Sequence, residues 1–293
     1  MCRRSSLSLI FGVYLAGCQA TAPTAETQAE YIGSLRWQLQ DLWFGGWSGL
    51  ELSDDGTEFT VISDKGRLLQ GLMHRDASNL SRIDVLAEFT ITDASLPALA
   101  SSDSEGLAIA QDGSIFASFE GINHVVQLSP SGSVIRVLPR HADFVDLQNN
   151  SGMEALAIDA NGTLYTLPER SGAIERAFSV YAFENARWSI AFQASRTDGF
   201  LPVGADIGPD GKFYLLERDF NGLAFKTRVR RFELPSSGEQ PGETLLTSKF
   251  GQHDNLEGIS VWLDDAGAIR LTLVSDDNFR LLQRSEFVEY KLR

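Results

Sequence analysis

Residues 102–121 read SDSEGLAIAQDGSIFASFEG. An acid, Glu105, precedes a short apolar run, Gly106–Ala110. A turn follows at Asp112–Gly113, and a second apolar run, Ile115–Phe119, ends on another acid, Glu120. The same design recurs as GWSGLELSDDGTEFTVISDKG at 46–66, GMEALAIDANGTLYTLPER at 152–170, VGADIGPDGKFYLLERD at 203–219 and NLEGISVWLDDAGAIRLTLVSDD at 255–277. Aligned on Gly49, Gly106, Ala155, Gly204 and Gly258, successive copies lie 57, 49, 49 and 54 residues apart. A period near 50 marks a repeat architecture and decides the fold.

Each repeat divides into short strands. In the first they are Gly49–Ser53, Glu58–Ser63, Leu68–Arg75 and Ile83–Thr90. The first two strands of every copy are joined at Asp55–Gly56, Asp112–Gly113, Asn161–Gly162, Asp210–Gly211 or Ala266–Gly267. Asp-Gly and Asn-Gly suit tight hairpins because both central residues can need positive φ. No stretch shows a sustained helical period with caps. The pattern predicts an all-β propeller with one four-stranded blade per repeat. The count is five blades, and the longer gaps leave room for a degenerate sixth. The fifth repeat stops one strand short. Gly33–Gln40, in which Leu35, Trp37 and Leu39 share one face, is expected to supply the outermost strand of the last blade and close the ring.

The chain has 293 residues, 43% of them apolar and 22% charged, enough for a full core. A net charge of −14 argues against a nucleic-acid partner and allows cation binding. The N-terminus reads as a processing signal: Arg3 and Arg4, a short apolar segment Leu7–Val13, then Leu15-Ala16-Gly17-Cys18. The last four residues resemble a bacterial lipobox. Residues 1–17 would be a signal peptide, Cys18 the lipidated first residue and 18–30 a flexible tether, with the propeller spanning 31–293. Gln19, in place of an Asp, is similar to the sorting pattern for the outer membrane, facing the periplasm. Cys2 and Cys18 are the two cysteines, so the exported domain would carry no disulfide.

Propeller geometry brings the residue after each second strand and the residue before each first strand to one mouth of the central channel. The former are Asp64, Glu120, Glu169, Glu217 and Asp276; the latter include Glu105, Glu154 and Glu257. So many carboxylates around one opening need a counter-charge, and oxygen-rich clusters suit hard cations such as Ca²⁺. Basic residues follow the acids: Lys65, Arg67, Arg170, Arg218 and Arg280. A repeated strand-end acid is also a common way to cap a loop or pair with a neighbouring Arg. The nucleophile elbow Gly-x-Ser-x-Gly, His-Glu-x-x-His and phosphate-binding Gly-rich loops are absent.

Glu-Gly-Leu-Ala at 105–108, Glu-Ala-Leu-Ala at 154–157 and Asn-Leu-Glu-Gly-Ile at 255–259 resemble the phytase-like family called "esterase-like activity of phytase". So do Ile62-Ser63-Asp64, Leu216-Glu217-Arg218-Asp219 and Val274-Ser275-Asp276-Asp277-Asn278. The resemblance covers roughly 41–293 and implies a propeller. β-Propeller phytases hold several Ca²⁺ ions in a carboxylate-lined mouth with basic residues around the phosphate. On that pattern Glu105, Glu120, Glu154, Glu169, Glu217, Glu257 and Asp276 would ligate metal or adjoin it. Asp64, Lys65, Arg67, Arg170 and Arg218 would meet the substrate. The chain departs from those phytases in counting five blades rather than six.

The expectation is a lipid-anchored propeller of the cell envelope that hydrolyses phosphoesters or other esters with Ca²⁺, acting on a small anionic ligand or ester. The competing reading is a non-catalytic ligand-binding or scaffold propeller. Three or more clustered, unpaired carboxylates would favour the enzyme; a mouth with every acid paired to Lys or Arg would favour the scaffold.

Overall fold

Five glycines set the hairpins: Gly56, Gly113, Gly162, Gly211 and Gly267 all have φ between 70° and 83°. L side chains rarely adopt that conformation, so the glycine, after Asp or Asn in four repeats and after Ala266 in the fifth, marks the sharp turn between the first two strands of each repeat. A computed structural model describes residues 28–92, 103–147, 152–173 and 175–293. The chain forms five sheets, almost without helix, arranged as a five-bladed β-propeller.

Strand β1 (Ala29–Arg36) belongs to the last blade. Blade one is β2 (Trp47–Leu52), β3 (Glu58–Ser63), β4 (Arg67–Asp76) and β5 (Asn79–Thr90). Blade two is β6 (Ser104–Ile109), β7 (Ile115–Phe119), β8 (His124–Leu128) and β9 (Val134–Val137). Blade three is β10 (Met153–Ile158), β11 (Leu164–Pro168), β12 (Phe178–Glu184) and β13 (Arg187–Ala194). Blade four is β14 (Leu201–Ile207), β15 (Phe213–Phe220), β16 (Phe225–Phe232) and, after the short β17 (Glu239–Gln240), β18 (Glu243–Thr247). Blade five is β19 (Asn255–Leu263), β20 (Ile269–Asp276) and β21 (Glu286–Leu292), completed by β1. The third sheet departs from the expected four strands because β17 adds to β13 in parallel.

Closure comes from the N-terminal side, four residues earlier than expected. β1 pairs antiparallel with β21, from Ala29 opposite Leu292 to Arg36 opposite Glu286. The expected strand 33–40 is therefore corrected to 29–36, and Ala29 and Glu30, expected in the tether, belong to the domain. The alternation of Leu35, Trp37 and Leu39 misleads because Trp37 lies past the strand. Its ring is buried against Trp47, Phe44, Phe59 and Phe287, with centroids 4.7–5.8 Å away. The signal segment and Cys18 lie outside the described residues.

The core is divided among the seams between blades. One cluster joins blades four and five through Tyr214, Leu216, Ile259 and Leu273; another joins blades one and two through Ile62, Leu107 and Phe119. At the axis the first strands approach closely. A Cβ on Gly106 would lie 2.7 Å from the Glu154 carbonyl oxygen, and one on Gly258 would lie 3.0 Å from the Leu50 amide nitrogen. The aligned glycines are thus what lets five inner strands surround so narrow an axis.

Each first strand is also bulged at one repeated point. Its register against the second strand slips between Trp47 and Gly49, Ser104 and Leu107, Met153 and Ala155, Pro202 and Gly204, and Leu256 and Gly258. The extra residue is Ser48, Glu154, Val203 or Glu257, and in blade two the pair Glu105–Gly106 faces Ser118 alone. A bulge re-aims the side chain it frees. Three of the five repeats spend it on a glutamate.

Candidate functional site

The three bulge glutamates are each buried, between 7% and 9% exposed. Glu105 and Glu154 take part in no side-chain hydrogen bond or ion pair among the described residues. Burial, then Glu154 and Glu257 nearby, push the Glu105 carboxyl well above the usual carboxylate range. Burial and Glu169 do the same to Glu154, against the pull of Arg218. Glu257 is raised by burial in spite of Arg218 and Asn255.

The second-strand acids complete the ring. Glu120 is raised by burial, while its Oε1 accepts a bond from the Gly152 amide at 2.9 Å. Asp276 is pushed up to about 8, chiefly by burial and then by Glu257, while its Oδ1 accepts from the Asn278 amide at 2.6 Å. Asp64 is raised by burial against the opposing Lys65, whose Nζ is 3.0 Å from Asp64 Oδ2 and 3.8 Å from Asp103 Oδ1. Asp64 Oδ1 is buried without a hydrogen-bond partner among the described residues.

One cation stands among the glutamates. Arg218 pairs with Glu257 through Nη1, donates to Asn255 Oδ1 at 2.8 Å and reaches Glu169 Oε1 with Nη2 at 3.3 Å. Although burial disfavours its charge, Glu257, Glu154 and Glu169 hold the guanidinium above its ordinary pKa. Arg170 lies on the outer side of Glu169, with Nε 3.4 Å from Oε2, and is largely exposed.

Of the residues expected at the mouth, the structure therefore gathers Glu105, Glu120, Glu154, Glu169, Glu257, Asp276, Asp64, Lys65 and Arg218, with Arg170 at the rim. Two are placed elsewhere. Glu217 is fully buried, and its two oxygens accept four bonds of 2.7–3.1 Å from Arg228 and Arg230 on the neighbouring strand, so it has nothing left to offer a metal. Arg67 pairs with Glu88 on β5 and lies over the Trp43 ring, away from the acids.

Asp103 stands outside the expected set. One oxygen each from Asp103, Glu105 and Glu120 lie within 4.8 Å of one another, close enough to share an ion. Its signal in the sequence is Asp-Ser-Glu at 103–105, an acid two positions before the bulge glutamate. The donor set is wholly oxygen and carries net negative charge, which suits a hard divalent cation. The unpartnered Asp64 Oδ1 points the same way.

Solved structures align with the chain at low identity. Regucalcin from Agrobacterium tumefaciens, a calcium-binding protein, is 12% identical over 84% of this chain and 91% of its own, with a TM-score of 0.50. Virginiamycin B lyase from Staphylococcus aureus is 11% identical over 90% and 100%, with a TM-score of 0.45. The PQQ-bound aldose sugar dehydrogenase from Streptomyces coelicolor is 12% identical over 85% and 80%, with a TM-score of 0.43. No curated protein matches the chain. Residues 42–279 match the phytase-like family described as "Esterase-like activity of phytase", and the chain belongs to that family.

Proposed function

We propose that this propeller is a metal-dependent hydrolase of phosphoesters or other esters, held at the cell envelope by a lipid on Cys18. The observation that carries the reading is the excess of buried and half-buried carboxylates at one mouth. Glu105, Glu120 and Glu154 have no ion pair among the described residues, and the one cation set between the glutamates already serves Glu169 and Glu257. Asp103, Glu105 and Glu120 would hold the ion, with Glu154 beside them. When bound, a divalent cation supplies polarisation of the ester oxygen and activation of water. The chain's own residues do the rest. Lys65 and Arg218 attract and orient an anionic group. Asp276, with one oxygen bonded to an amide and a pKa of about 8, can hold a proton on the other oxygen at neutral pH and return it to the leaving group. The family description supports esters as the substrate class.

The test is thermal melting with millimolar Ca²⁺ and with chelator, beside a screen of aryl phosphates and aryl carboxylesters. Calcium is expected to raise the melting temperature, by about 2.7 kcal/mol of stability at a hundredfold excess over Kd. Glu105→Gln with Glu154→Gln should remove both the shift and turnover. Replacing Cys18 with Ser should release the protein from membranes. A calcium shift without turnover would support the ligand-binding propeller instead, the reading favoured by the clamp of Arg218 on Glu169 and Glu257. The absence of any shift would remove the metal from the proposal.

A further inference from the structure

The channel has a second mouth, and it is built differently. Two positions beyond the aligned glycines, the first strands carry Glu51 in blade one and Asp206 in blade four. Both line a cavity of about 700 Å³ on the side of the tight hairpins, opposite the bulge glutamates. Between the two mouths, at the glycine waist, the free space is about 10 Å³, roughly one water molecule. A ligand at one mouth therefore does not reach the other.

Ile109, Ile158, Ile207 and Val261 give the cavity apolar walls, and Asp54 and Asp159 also line it, but among the described residues no Lys or Arg does. Asp206 is locked: its Oδ1 accepts from the Ile207 amide and its Oδ2 from the Val261 amide, both at 2.6 Å. Glu51 is the free arm. It is only 9% exposed, the Ile109 amide lies beside it, and among the described residues its carboxylate accepts no side-chain hydrogen bond. A buried carboxylate left this way is costly without a counter-charge. Burial holds both acids above the usual carboxylate range, Asp206 at about 7 and Glu51 further raised by Asp206.

Chemistry narrows the occupant. Anions are excluded by four acids without a base. A divalent ion is disfavoured because Asp206 has both oxygens engaged. Among the described residues, the one set of three acids close enough to share a metal lies at the other mouth. A cavity of this size with apolar walls and two convergent carboxylates fits an organic molecule with a positive end. We propose that this second mouth binds a small organic cation, an ammonium ion on an apolar chain or ring. The ammonium meets Glu51, with the charge of the locked Asp206 beside it, and the apolar part lies against the isoleucines.

Three of the wall residues are isoleucines, so methyl NMR of the full chain reads the site directly. Titrated with phenethylammonium chloride, the ¹³C-methyl signals of Ile109, Ile158 and Ile207 are expected to shift together and saturate. The neutral counterpart, 2-phenylethanol, should need at least tenfold more. Glu51→Gln should weaken the ammonium at least tenfold, whereas Glu154→Gln at the other mouth should leave it unchanged. Absence of a saturable shift at millimolar ammonium overturns the proposal. So does equal binding of the alcohol, which would make the cavity merely apolar, and so does competition by Ca²⁺, which would make it a metal site. The comparison of ammonium with alcohol on the unaltered chain decides the matter even where Glu51→Gln folds poorly.

Discussion

Arg218 and Glu169 face each other across the boundary between blades four and three, with Nη2 and Oε1 3.3 Å apart. The same guanidinium pairs with Glu257 of blade five, so one side chain ties three blades at the rim of the acid mouth. Arg218→Met removes that cation and leaves Glu169 and Glu257 facing each other. Breaking a buried pair costs about 3–5 kcal/mol, and the partial exposure of Arg218 places the loss near the lower figure. The expected result is a protein whose melting temperature falls sharply in chelator and recovers in Ca²⁺ by more than the parent gains. Equal losses in the two buffers would show that Arg218 acts as packing alone.

Glu217 provides the contrasting test within the same repeat position. Its carboxylate is fully buried between Arg228 and Arg230, which share its single negative charge. Glu217→Gln is expected to cost about 3–5 kcal/mol, because two guanidiniums remain without their carboxylate. The calcium-induced shift in melting temperature should stay as large as in the parent. A variant that keeps full stability but loses the calcium response would return Glu217 to the metal.

Ring closure rests on Trp37 as well as on the pairing of β1 with β21. The indole is 5% exposed and touches four aromatic rings, yet among the described residues its buried Nε1 has no partner. Trp37→Ala should cost about 3–5 kcal/mol through the cavity it leaves. Trp37→Phe should cost far less, because it removes an unsatisfied N–H along with part of the ring. Denaturant unfolding of the two variants checks the order; similar losses would mean that the N–H has a partner.

How much is readable in the sequence follows from what each signal depends on. Blade number, hairpins and the need for a closing strand come from repeat spacing and Asp-Gly turns, which are local. The closing register does not, because Trp37 looks like one more alternating residue and only the neighbouring blade's aromatics draw it inward. Glu105, Glu154 and Glu257 are visible as repeated acids, but the bulge that re-aims them shows only in the pairing of β6, β10 and β19. The fate of Glu217 is decided one strand away. It pairs with Arg228 in the β15–β16 register, and Arg230 lies on the same face. Glu51 and Asp206 share a repeat position, yet their separation from the other acids needs the glycine waist.

The pH dependence of stability follows from the raised carboxyls. Burial holds Asp206 at about 7, and burial with Glu257 holds Asp276 at about 8, while both titrate near 3.9 in an unfolded chain. Glu51, Glu105, Glu120, Glu154 and Glu257 are raised in the same sense. The folded state therefore binds more protons than the unfolded one between about pH 4 and 8. The stability these groups contribute is complete below their unfolded pKa and is lost as pH rises through the folded values. A tenfold difference in proton affinity between the folded and unfolded states is worth about 1.4 kcal/mol, so the loss amounts to several kcal/mol. Asp55, Asp112, Glu243 and Asp264 are held below their ordinary values and act oppositely, as do His124 and His253, whose charge burial disfavours. The acids' contribution is complete by about pH 5 and that of the two imidazoles by about pH 7, so the more numerous raised carboxyls set the slope. In chelator, the melting temperature should fall steadily from about pH 5.5 to about pH 8.5. With Ca²⁺ present the fall should shrink at the alkaline end, where ionised carboxylates bind the ion best. A flat or rising profile in chelator would show that the acids are ionised and compensated by other means.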